Sequence, residues 1–427
     1  MFTSKPVRYH ICGGQRLEGS VIIQGAKNAA LPIIAASLLA TRGQTILHNV
    51  PLINDVYVAI EIASALGAKV KLHEDEQVLV IDASNLTSST LPPQLTNMIR
   101  GSVLFLPPVM VRTGSVSIEK VGGCNLGKRS LDFHYRGFVR LGAEVREDEQ
   151  CISISMRNHK GAYIYQDTPS HTGTENLIAA ACLAEGTTII ENTALEPEIT
   201  DVANFLNLMG AKISGVGTGV IEVEGVKELT ATEYTIMPDR IDAGTMAMAA
   251  AATRGDVELI GAHLRHFGIV RAKLEQMGVE LQEDGPVIHV RRRGKLRPVN
   301  LITWPFPGYS TDLQPQMMSL ACLASGTSYL RETLFEQRFF AAQELVKMGA
   351  RIEISEGSAI VTGPSRLTGA TVWAHDIRAG SALIIAGAAA EGKTTIENVQ
   401  MIERGCSAII RRFSQLGLSI EEERQEF

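Results

Sequence analysis

The sequence contains no long apolar run, no cysteine pair at metal-ligand spacing and no excess of basic charge. Its longest apolar stretches, such as NAALPIIAASLLA and SVLFLPPVMV, are shorter than the roughly 20 residues that a transmembrane helix needs. The N-terminal sequence MFTSKPVRYHICGG lacks the apolar segment of a signal peptide, which predicts a cytoplasmic protein. A formal net charge of −6 argues against a broad nucleic-acid surface, although it allows a local cationic pocket. We therefore expect neither a membrane nor a nucleic acid as a partner.

The cysteines are dispersed, and one of them has unusual neighbours. Because the six cysteines form no CxxC pair, the sequence predicts neither a disulfide framework nor a metal site. Cys182 and Cys322 lie in AACLAEG and LACLASG, which favours small buried side chains. Cys124 instead follows two glycines and precedes Lys128 and Arg129. Neighbouring positive charge stabilises a thiolate, so this loop is typical of a reactive cysteine.

One pattern occurs six times along the chain. A helix of small apolar residues ends at a glycine, a β-rich run and an amphipathic helix follow, and a second glycine leads into another strand. The glycines are, in pairs, Gly43 and Gly67, Gly114 and Gly142, Gly186 and Gly210, Gly255 and Gly278, Gly326 and Gly349, and Gly392 and Gly417. Each second glycine is predicted to end its helix in the left-handed conformation.

The length of each repeat suits a βαβαββ unit, so the predicted class is α/β with two domains of three repeats each. Helices such as TMAMAAAAT and SALIIAGAAA are apolar on nearly every side and therefore belong in an interior. We predict two inside-out α/β barrel domains, with helices at the centre and sheets outside. The predicted domains are residues 1–26 with 238–427 and residues 27–237, because the last repeat needs a partner strand from the N-terminus.

Several of the apolar helices open with charged or polar residues. The openings are GAKNAALP (Lys27, Asn28), IRGSVLF (Arg100), DRIDAGTMAM (Asp239, Asp242), STDLQPQMM (Asp312) and IRAGSALII (Arg378). A single residue of this kind is more often a cap or a solvated charge, and we interpret Asp239 and Asp242 as caps. Helix N-termini attract anions, however, and the recurrence predicts a phosphate-binding cleft between the domains. Arg129, Arg338 and Arg404 occupy equivalent polar loops, where function concentrates.

Taken together, these motifs resemble the UDP-N-acetylglucosamine 1-carboxyvinyltransferases of the enolpyruvyl transferase family. GAKNAALP, GGCNLGKR, LAEGTTIIEN, STD.Q, FE.RF and DIRA follow the order of that family over essentially the whole chain. The resemblance implies transfer of the enolpyruvyl group of phosphoenolpyruvate to the 3′-hydroxyl of UDP-N-acetylglucosamine with release of phosphate. It also implies the first committed step of peptidoglycan synthesis, with consequences for the cell wall, cell shape and cell division, and no metal or cofactor.

The resemblance further implies which residues act. As catalytic residues it implies Cys124, Asp312, Lys27 and Arg404. As phosphoenolpyruvate contacts it implies Lys27, Asn28, Arg129, Arg338, Arg378 and Arg404, with a second aspartate at Asp376. As UDP-sugar contacts it implies Asn28, Arg100, Arg129, Ser130, Leu131, Asp132, Phe133, Thr168, Pro169, Ser170, His171, Asp312 and Leu334.

These residue types suit the chemistry. A thiol on a loop protonates C3 of phosphoenolpyruvate as a general acid, and an aspartate takes the proton of the attacking hydroxyl. Arginines hold the phosphate and the carboxylate through paired N–H donors. A thiolate at Cys124 would also react with the inhibitor fosfomycin.

Five residues depart from the family pattern near the predicted sugar-nucleotide contacts: Asn125, Lys128, Ser130, His171 and Leu195. One alternative is therefore a paralogous enolpyruvyl transferase that acts on another uridine nucleotide. A second is the sister family that uses shikimate 3-phosphate, although the cysteine loop argues against it. A third is a non-catalytic relative that only binds UDP-sugars. We interpret His134, which follows the loop, as a structural hydrogen-bonding residue.

Overall fold

The computed structural model describes residues 7–119 and 131–424. The chain divides into two compact units, which we call the terminal unit (Met1–Gln24 with Pro238–Phe427) and the central unit (Gly25–Met237). No helix of the described residues is long and apolar enough to cross a membrane. Cys124, Asn125, Lys128, Arg129 and Ser130 lie outside the described residues, so their roles stay predictions.

Within the described residues, the strands are β1 (Val7–Cys12), β2 (Glu18–Ile22), β3 (Thr45–His48), β4 (Lys69–His73), β5 (Val78–Asp82), β6 (Ser115–Glu119), β7 (Ala143–Glu147), β8 (Cys151–Met156), β9 (Tyr163–Tyr165), β10 (Thr187–Glu191), β11 (Lys212–Ser214), β12 (Val220–Glu224), β13 (Glu233–Thr235), β14 (Asp256–Ile260), β15 (Glu280–Asp284), β16 (Val287–Arg291), β17 (Asn300–Ile302), β18 (Gly326–Arg331), β19 (Arg351–Ser355), β20 (Ser358–Gly363), β21 (Thr371–Trp373), β22 (Lys393–Glu397) and β23 (Ser419–Arg424).

The α-helices of the same residues are α1 (Lys27–Ala36), α2 (Asn54–Ala65), α3 (Pro93–Thr96), α4 (Leu106–Thr113), α5 (Asp132–Arg140), α6 (His171–Ala181), α7 (Pro197–Leu208), α8 (Arg240–Ala252), α9 (Ile269–Met277), α10 (Gln314–Ala321), α11 (Phe340–Lys347), α12 (Ile377–Ala389), α13 (Gln400–Glu403) and α14 (Ile409–Gln415). Short 3-10 helices span Ser37–Leu39, Arg100–Phe105, Leu264–His266 and Thr311–Leu313.

The described strands of each unit form three sheets. In the central unit the strand orders are β13-β3-β5-β4, β6-β8-β7 and β11-β12-β10-β9. In the terminal unit they are β21-β22-β1-β23, β15-β16-β14-β2 and β17-β18-β20-β19. One complete repeat runs β9, α6, β10, α7, β11 and β12, with β9 parallel to β10 and the remaining pairs antiparallel. This arrangement confirms the predicted α/β class and the βαβαββ repeat.

The N-terminal strands complete two sheets of the terminal unit. β1 lies between β22 and β23 and pairs antiparallel with both, so that Tyr9 is opposite Ile396 on one side and Glu422 on the other. β2 pairs in parallel with β14. The prediction that the last repeat needs a strand from the N-terminus is therefore confirmed.

Within each unit the apolar helices are buried and the sheets have an exposed face. Every residue of α8 is buried, and α8 packs against α10 and α12 inside the terminal unit. In the central unit α1 packs against α2 and α7, and α4 packs against α6. Along β12, Ile221 and Val223 are buried whereas Glu222 and Glu224 are exposed. The inside-out arrangement thus follows from helices that are apolar all round and strands that are apolar on one face.

The second glycine of every repeat has the predicted left-handed backbone, with φ between 91° and 108°. At Gly142 a Cβ atom would also lie only 1.9 Å from the carbonyl oxygen of Asn158. A side chain is excluded there by both conformation and space. Each of these glycines follows the amphipathic helix of its repeat and returns the chain to a strand.

Candidate functional site

Asp312 lies at the centre of a charged cluster in the terminal unit. It belongs to the 3-10 helix Thr311–Leu313, whose preceding residue Ser310 accepts a hydrogen bond from the Asp312 amide at 3.3 Å. Its Oδ1 is 2.5 Å from Arg338 Nη2, and its Oδ2 is 2.7 Å from Arg378 Nη2. One carboxylate therefore joins two guanidinium groups from different repeats. We call Asp312, Arg338, Arg378 and Asp376 the aspartate–arginine cluster.

Arg338 is the more deeply buried of the two guanidinium groups, with 1% of its surface exposed. Its Nε donates to the carbonyl oxygen of Thr311 at 3.0 Å, and its Nη1 lies 3.8 Å from Asp376 Oδ1. The guanidinium also lies over the ring of Phe335, with 5.7 Å from Cζ to the ring centroid. Contacts on several sides hold this cation in one orientation.

Arg378 is fixed by the start of α12. Asp376 caps that helix and accepts hydrogen bonds from the amides of Arg378 at 2.7 Å and Ala379 at 3.0 Å. Burial alone would lower the pKa of Arg378, but the carboxylates of Asp312 and Asp239 outweigh it and keep the pKa above its ordinary value. Arg378 is therefore a permanent buried cation.

Glu332 joins the segments on either side of the aspartate–arginine cluster. Its carboxylate accepts hydrogen bonds from the hydroxyl groups of Thr303 at 2.8 Å and Thr311 at 3.0 Å. It also accepts the amides of Leu334 at 2.9 Å and Phe335 at 3.2 Å. Leu334, a predicted UDP-sugar contact, is exposed. Glu332 was not predicted from the sequence, where its only signal is an acidic residue directly after β18.

Arg404 follows α13 and is half-buried.

The two aspartates near the start of α8 have different roles, and the prediction that both are caps was wrong for one of them. Asp239 caps α8, as expected, and accepts the amides of Ile241 and Asp242. Asp242 is not a cap, because it makes a bidentate ion pair with Arg412 at 2.5 and 2.9 Å. Its position in the first turn allows both roles, and only the packing of α14 against this end of the helix selects the ion pair.

Lys27 opens α1 in the central unit and is buried there. Its Nζ is 2.8 Å from Asp55 Oδ2, in the first turn of α2. Asn28 follows Lys27 and is half-buried. The sequence analysis missed Asp55, although an acidic residue in a first helical turn could have indicated a partner for a nearby cation.

Arg100 opens a 3-10 helix, Arg100–Phe105, instead of the apolar α-helix that we expected. Pro107 and Pro108 follow it and lack the N–H groups that an α-helix begun at Arg100 would need. The α-helix therefore begins again at Leu106, with both prolines in its first turn.

The remaining predicted UDP-sugar contacts lie on two neighbouring segments of the central unit. They are Leu131, Asp132 and Phe133 at the start of α5 and Thr168, Pro169, Ser170 and His171 at the start of α6. Ser170 caps α6 by accepting the Gly173 amide at 3.2 Å. A Cβ atom at Gly173 would lie 2.7 Å from the ring of Phe133, so the two segments are in contact.

Two buried ionisable groups follow these segments. His134 accepts a hydrogen bond from Asn176 at 3.0 Å and stacks on Phe133, and burial, with help from Arg100, lowers its pKa to about 3. This agrees with the structural interpretation of His134. Burial raises the pKa of Glu175 to about 8, against the opposing effect of His171 3.6 Å away. Neither oxygen of Glu175 has a hydrogen-bond partner among the described residues.

Cys182 and Cys322 are small buried side chains, as the sequence predicts. Burial raises the pKa of each thiol to about 12. Cys12 is exposed and Cys406 is buried. Within residues 7–119 and 131–424, no group of three or more His, Cys, Asp or Glu side chains is arranged to hold a metal ion.

Comparisons with known proteins agree with this architecture. A family model described as EPSP synthase (3-phosphoshikimate 1-carboxyvinyltransferase) matches residues 11–413. A UDP-N-acetylglucosamine 1-carboxyvinyltransferase from Thermobifida fusca is 56% identical over 424 residues, which is 98% of both chains. A UDP-N-acetylglucosamine 1-carboxyvinyltransferase 1 from Symbiobacterium thermophilum is 45% identical over 97% of this chain and 94% of its own.

Solved structures give the same fold. The enolpyruvyl transferase NikO from Streptomyces tendae superposes with a TM-score of 0.89 at 24% identity, covering 99% of this chain and 100% of that one. The EPSP synthase of Acinetobacter baumannii superposes with a TM-score of 0.77 at 19% identity, over 98% and 100% of the two chains. At these identities the likeness concerns the fold alone.

Proposed function

Because the chain belongs to the enolpyruvyl transferase family, we propose that it moves the enolpyruvyl group of phosphoenolpyruvate to the 3′-hydroxyl of UDP-N-acetylglucosamine and releases phosphate. The observation that carries the proposal is the Asp312 carboxylate between two buried guanidinium groups. Identity of 56% over 98% of the chain to a relative of that name supports the acceptor. The terminal and central units are the two proposed domains, and the proposed location is the cytoplasm.

The proposed chemistry has two steps. In the addition, the hydroxyl oxygen bonds to C2 of phosphoenolpyruvate, its proton passes to the Asp312 carboxylate, and C3 gains a proton from the Cys124 thiol. In the elimination, C3 returns a proton to the Cys124 thiolate, the C2–O bond to phosphate breaks, and the double bond is restored, while the proton held by Asp312 passes to the departing phosphate. Arg338 and Arg378 act as fixed cations for a carboxylate or phosphate, and a cation that is already buried needs no reorganisation during the reaction.

The other proposed contacts follow from the resemblance. Lys27, Asn28, Arg129 and Arg404 complete the phosphoenolpyruvate site. The segments that begin α5 and α6, with Arg100 and Leu334, bind the UDP-sugar. The buried position of Lys27 supports its role, because the Asp55 carboxylate 2.8 Å from its Nζ fixes where the end of this side chain lies.

Phosphate release tests the reaction and the acceptor together. We expect release from phosphoenolpyruvate only when UDP-N-acetylglucosamine is added. Turnover with another uridine nucleotide or with shikimate 3-phosphate, and none with UDP-N-acetylglucosamine, would overturn the proposed acceptor. Binding of the sugar nucleotide without phosphate release in any combination would favour the non-catalytic alternative.

Covalent labelling tests the thiol. Fosfomycin should add to the chain, as measured by intact mass, and Cys124→Ser should abolish the adduct without changing the thermal midpoint. Cys12→Ser is the matched control, because Cys12 is an exposed thiol that has no proposed role. An undiminished adduct in Cys124→Ser would reject the assignment of the reactive cysteine.

A further inference from the structure

Gln24 is the last residue of the terminal unit before the chain enters the central unit, and its side chain is buried. Its Nε2 donates to the carbonyl oxygen of Gly405 at 3.0 Å. Its Oε1 accepts the amide of Ser407 at 2.9 Å and the hydroxyl of the same residue at 2.7 Å. The side-chain amide thus forms hydrogen bonds with the backbone of Gly405 and of Ser407, in the same way as a neighbouring β-strand would. All of its contacts are with the segment that directly follows Arg404.

This segment, residues 405–408, is held closely on its other sides. A Cβ atom at Gly405 would lie 2.8 Å from the side chain of Ile377, so the backbone runs directly against α12. The Sγ of Cys406 lies 3.7 Å from the hydroxyl of Ser381, also on α12. Ala408 has φ 47° and ψ 38°, a left-handed conformation that is unfavourable for a residue with a side chain. Such a conformation persists only where the surrounding contacts determine it.

The backbone of Gln24 is also held by hydrogen bonds, which it forms with the two aspartates near the start of α8. Its carbonyl oxygen accepts the amide of Asp239 at 2.8 Å, and its own amide donates to Asp242 at 3.4 Å. Asp242 is held by the bidentate pair with Arg412. Gln24 therefore connects the start of α8 to the segment after Arg404 through hydrogen bonds that are all buried.

We propose that Gln24 is a positioning residue that orients Arg404 and thereby sets the affinity for phosphoenolpyruvate. The inference rests on the proposed function, in which Arg404 binds that substrate. Gln24 acts on the orientation of the loop and has no part in the proton transfers. Its removal should therefore raise KM for phosphoenolpyruvate and leave KM for UDP-N-acetylglucosamine unchanged.

Gln24→Glu is the sharpest variant, because it replaces one N–H donor by an oxygen that faces the carbonyl of Gly405. We expect KM for phosphoenolpyruvate to rise about tenfold, since a buried acceptor loses its donor. Ser407→Ala removes one of the three hydrogen bonds and should raise the same KM by about threefold or less. Gln24→Met, which has similar length and no charge, is measured alongside in case the glutamate prevents folding.

Gln415→Glu is the matched control. Gln415 lies on α14 of the same unit, is exposed, and also donates its Nε2 to a backbone carbonyl, that of Ser20 at 3.0 Å. The same chemical change there should alter neither KM. The decisive experiment is a double-mutant cycle that combines Gln24→Glu with Arg404→Ala. If Gln24 acts through Arg404, Gln24→Glu should not change KM for phosphoenolpyruvate further once the guanidinium is absent.

The outcomes separate the inference from the proposed function. A wild-type chain that releases no phosphate with phosphoenolpyruvate and any acceptor would overturn the proposed function itself. With an active wild-type chain, an unchanged KM for phosphoenolpyruvate in folded Gln24→Glu and Gln24→Met would overturn the role of Gln24. Equal increases in both KM values, or an undiminished effect in the Arg404→Ala background, would also contradict it.

Discussion

In the terminal unit the carboxylate of the candidate site contacts two guanidinium groups, whereas in the central unit His134 and Glu175 are buried without a hydrogen bond to a charged group among the described residues. Asp312 contacts Arg338 and Arg378 at 2.5 and 2.7 Å. His134 accepts its hydrogen bond from a neutral amide, and neither oxygen of Glu175 is hydrogen-bonded within the described residues. Ionisable groups therefore lie in different electrostatic surroundings in the two units.

The difference shows how the surroundings decide whether a buried group can carry charge. A carboxylate beside a guanidinium keeps both ions charged, while burial without a close counter-charge favours the neutral form. The pKa of Arg378 stays above its ordinary value, whereas that of His134 falls to about 3 and that of Glu175 rises to about 8. At neutral pH the candidate site of the terminal unit thus keeps a fixed cation at Arg378, whereas His134 and Glu175 favour their neutral forms.

The largest effect should follow from Asp312→Asn. If the aspartate–arginine cluster is catalytic, loss of the base should reduce kcat for phosphate release by about 10²- to 10⁴-fold. Asp256→Asn is the control, because Asp256 also pairs with an arginine, Arg291, in the same unit but is partly exposed. A kcat within a few-fold of wild type in Asp312→Asn would mean that the cluster is only structural.

Breaking a buried pair outside the cluster measures what paired burial contributes to folding. Arg412→Met leaves Asp242 buried without its cation and should lower the free energy of unfolding by about 3–5 kcal/mol. The pair of Arg366 and Glu391 has side chains that are 79% and 59% exposed, against 9% and 3% for Arg412 and Asp242. Arg366→Met should therefore leave the free energy of unfolding nearly unchanged in denaturant titration, because solvent screens an exposed pair. If both variants lost the same free energy of unfolding, a buried ion pair would matter no more to folding than an exposed one.

Glu175→Gln tests, through the pH dependence of stability, the buried carboxyl that accepts no hydrogen bond among the described residues. The pKa of Glu175 rises from 4.5 to about 8 on folding, so the folded chain binds the proton more tightly, and stability falls as pH rises through that window. Wild type should lose about 1.4 kcal/mol per pH unit relative to Glu175→Gln between these values. Denaturant titrations at pH 5, 6, 7 and 8 check this. Parallel stability curves for the two proteins would show that Glu175 is ionised and paired in the folded chain.

The smallest effect should come from Ser170→Ala at the start of α6. The alanine removes the hydroxyl that accepts the Gly173 amide and should lower the free energy of unfolding by about 1 kcal/mol. Ser170→Asp retains an acceptor and should restore most of this loss. No difference between alanine and aspartate would mean that the cap does not support this segment of the central unit.

Much of the fold follows from local rules that the sequence states directly. A left-handed helix end favours glycine, so the six second glycines mark the ends of the amphipathic helices in the amino-acid sequence itself. The all-apolar composition of α8 and α12 likewise places them inside. The family motifs identified the residues of the candidate site by resemblance, and their chemical roles stay predictions.

The sequence by itself determined the repeat, its α/β class and the positions where charged residues open apolar helices, because these depend on neighbours a few residues apart. Only the tertiary structure decided which charges meet. Asp242 pairs with Arg412, Lys27 with Asp55, and Gln24 with the segment after Arg404, across large separations in sequence. Such partners depend on how helices and strands pack together. A local sequence pattern does not show which distant residues this packing brings into contact.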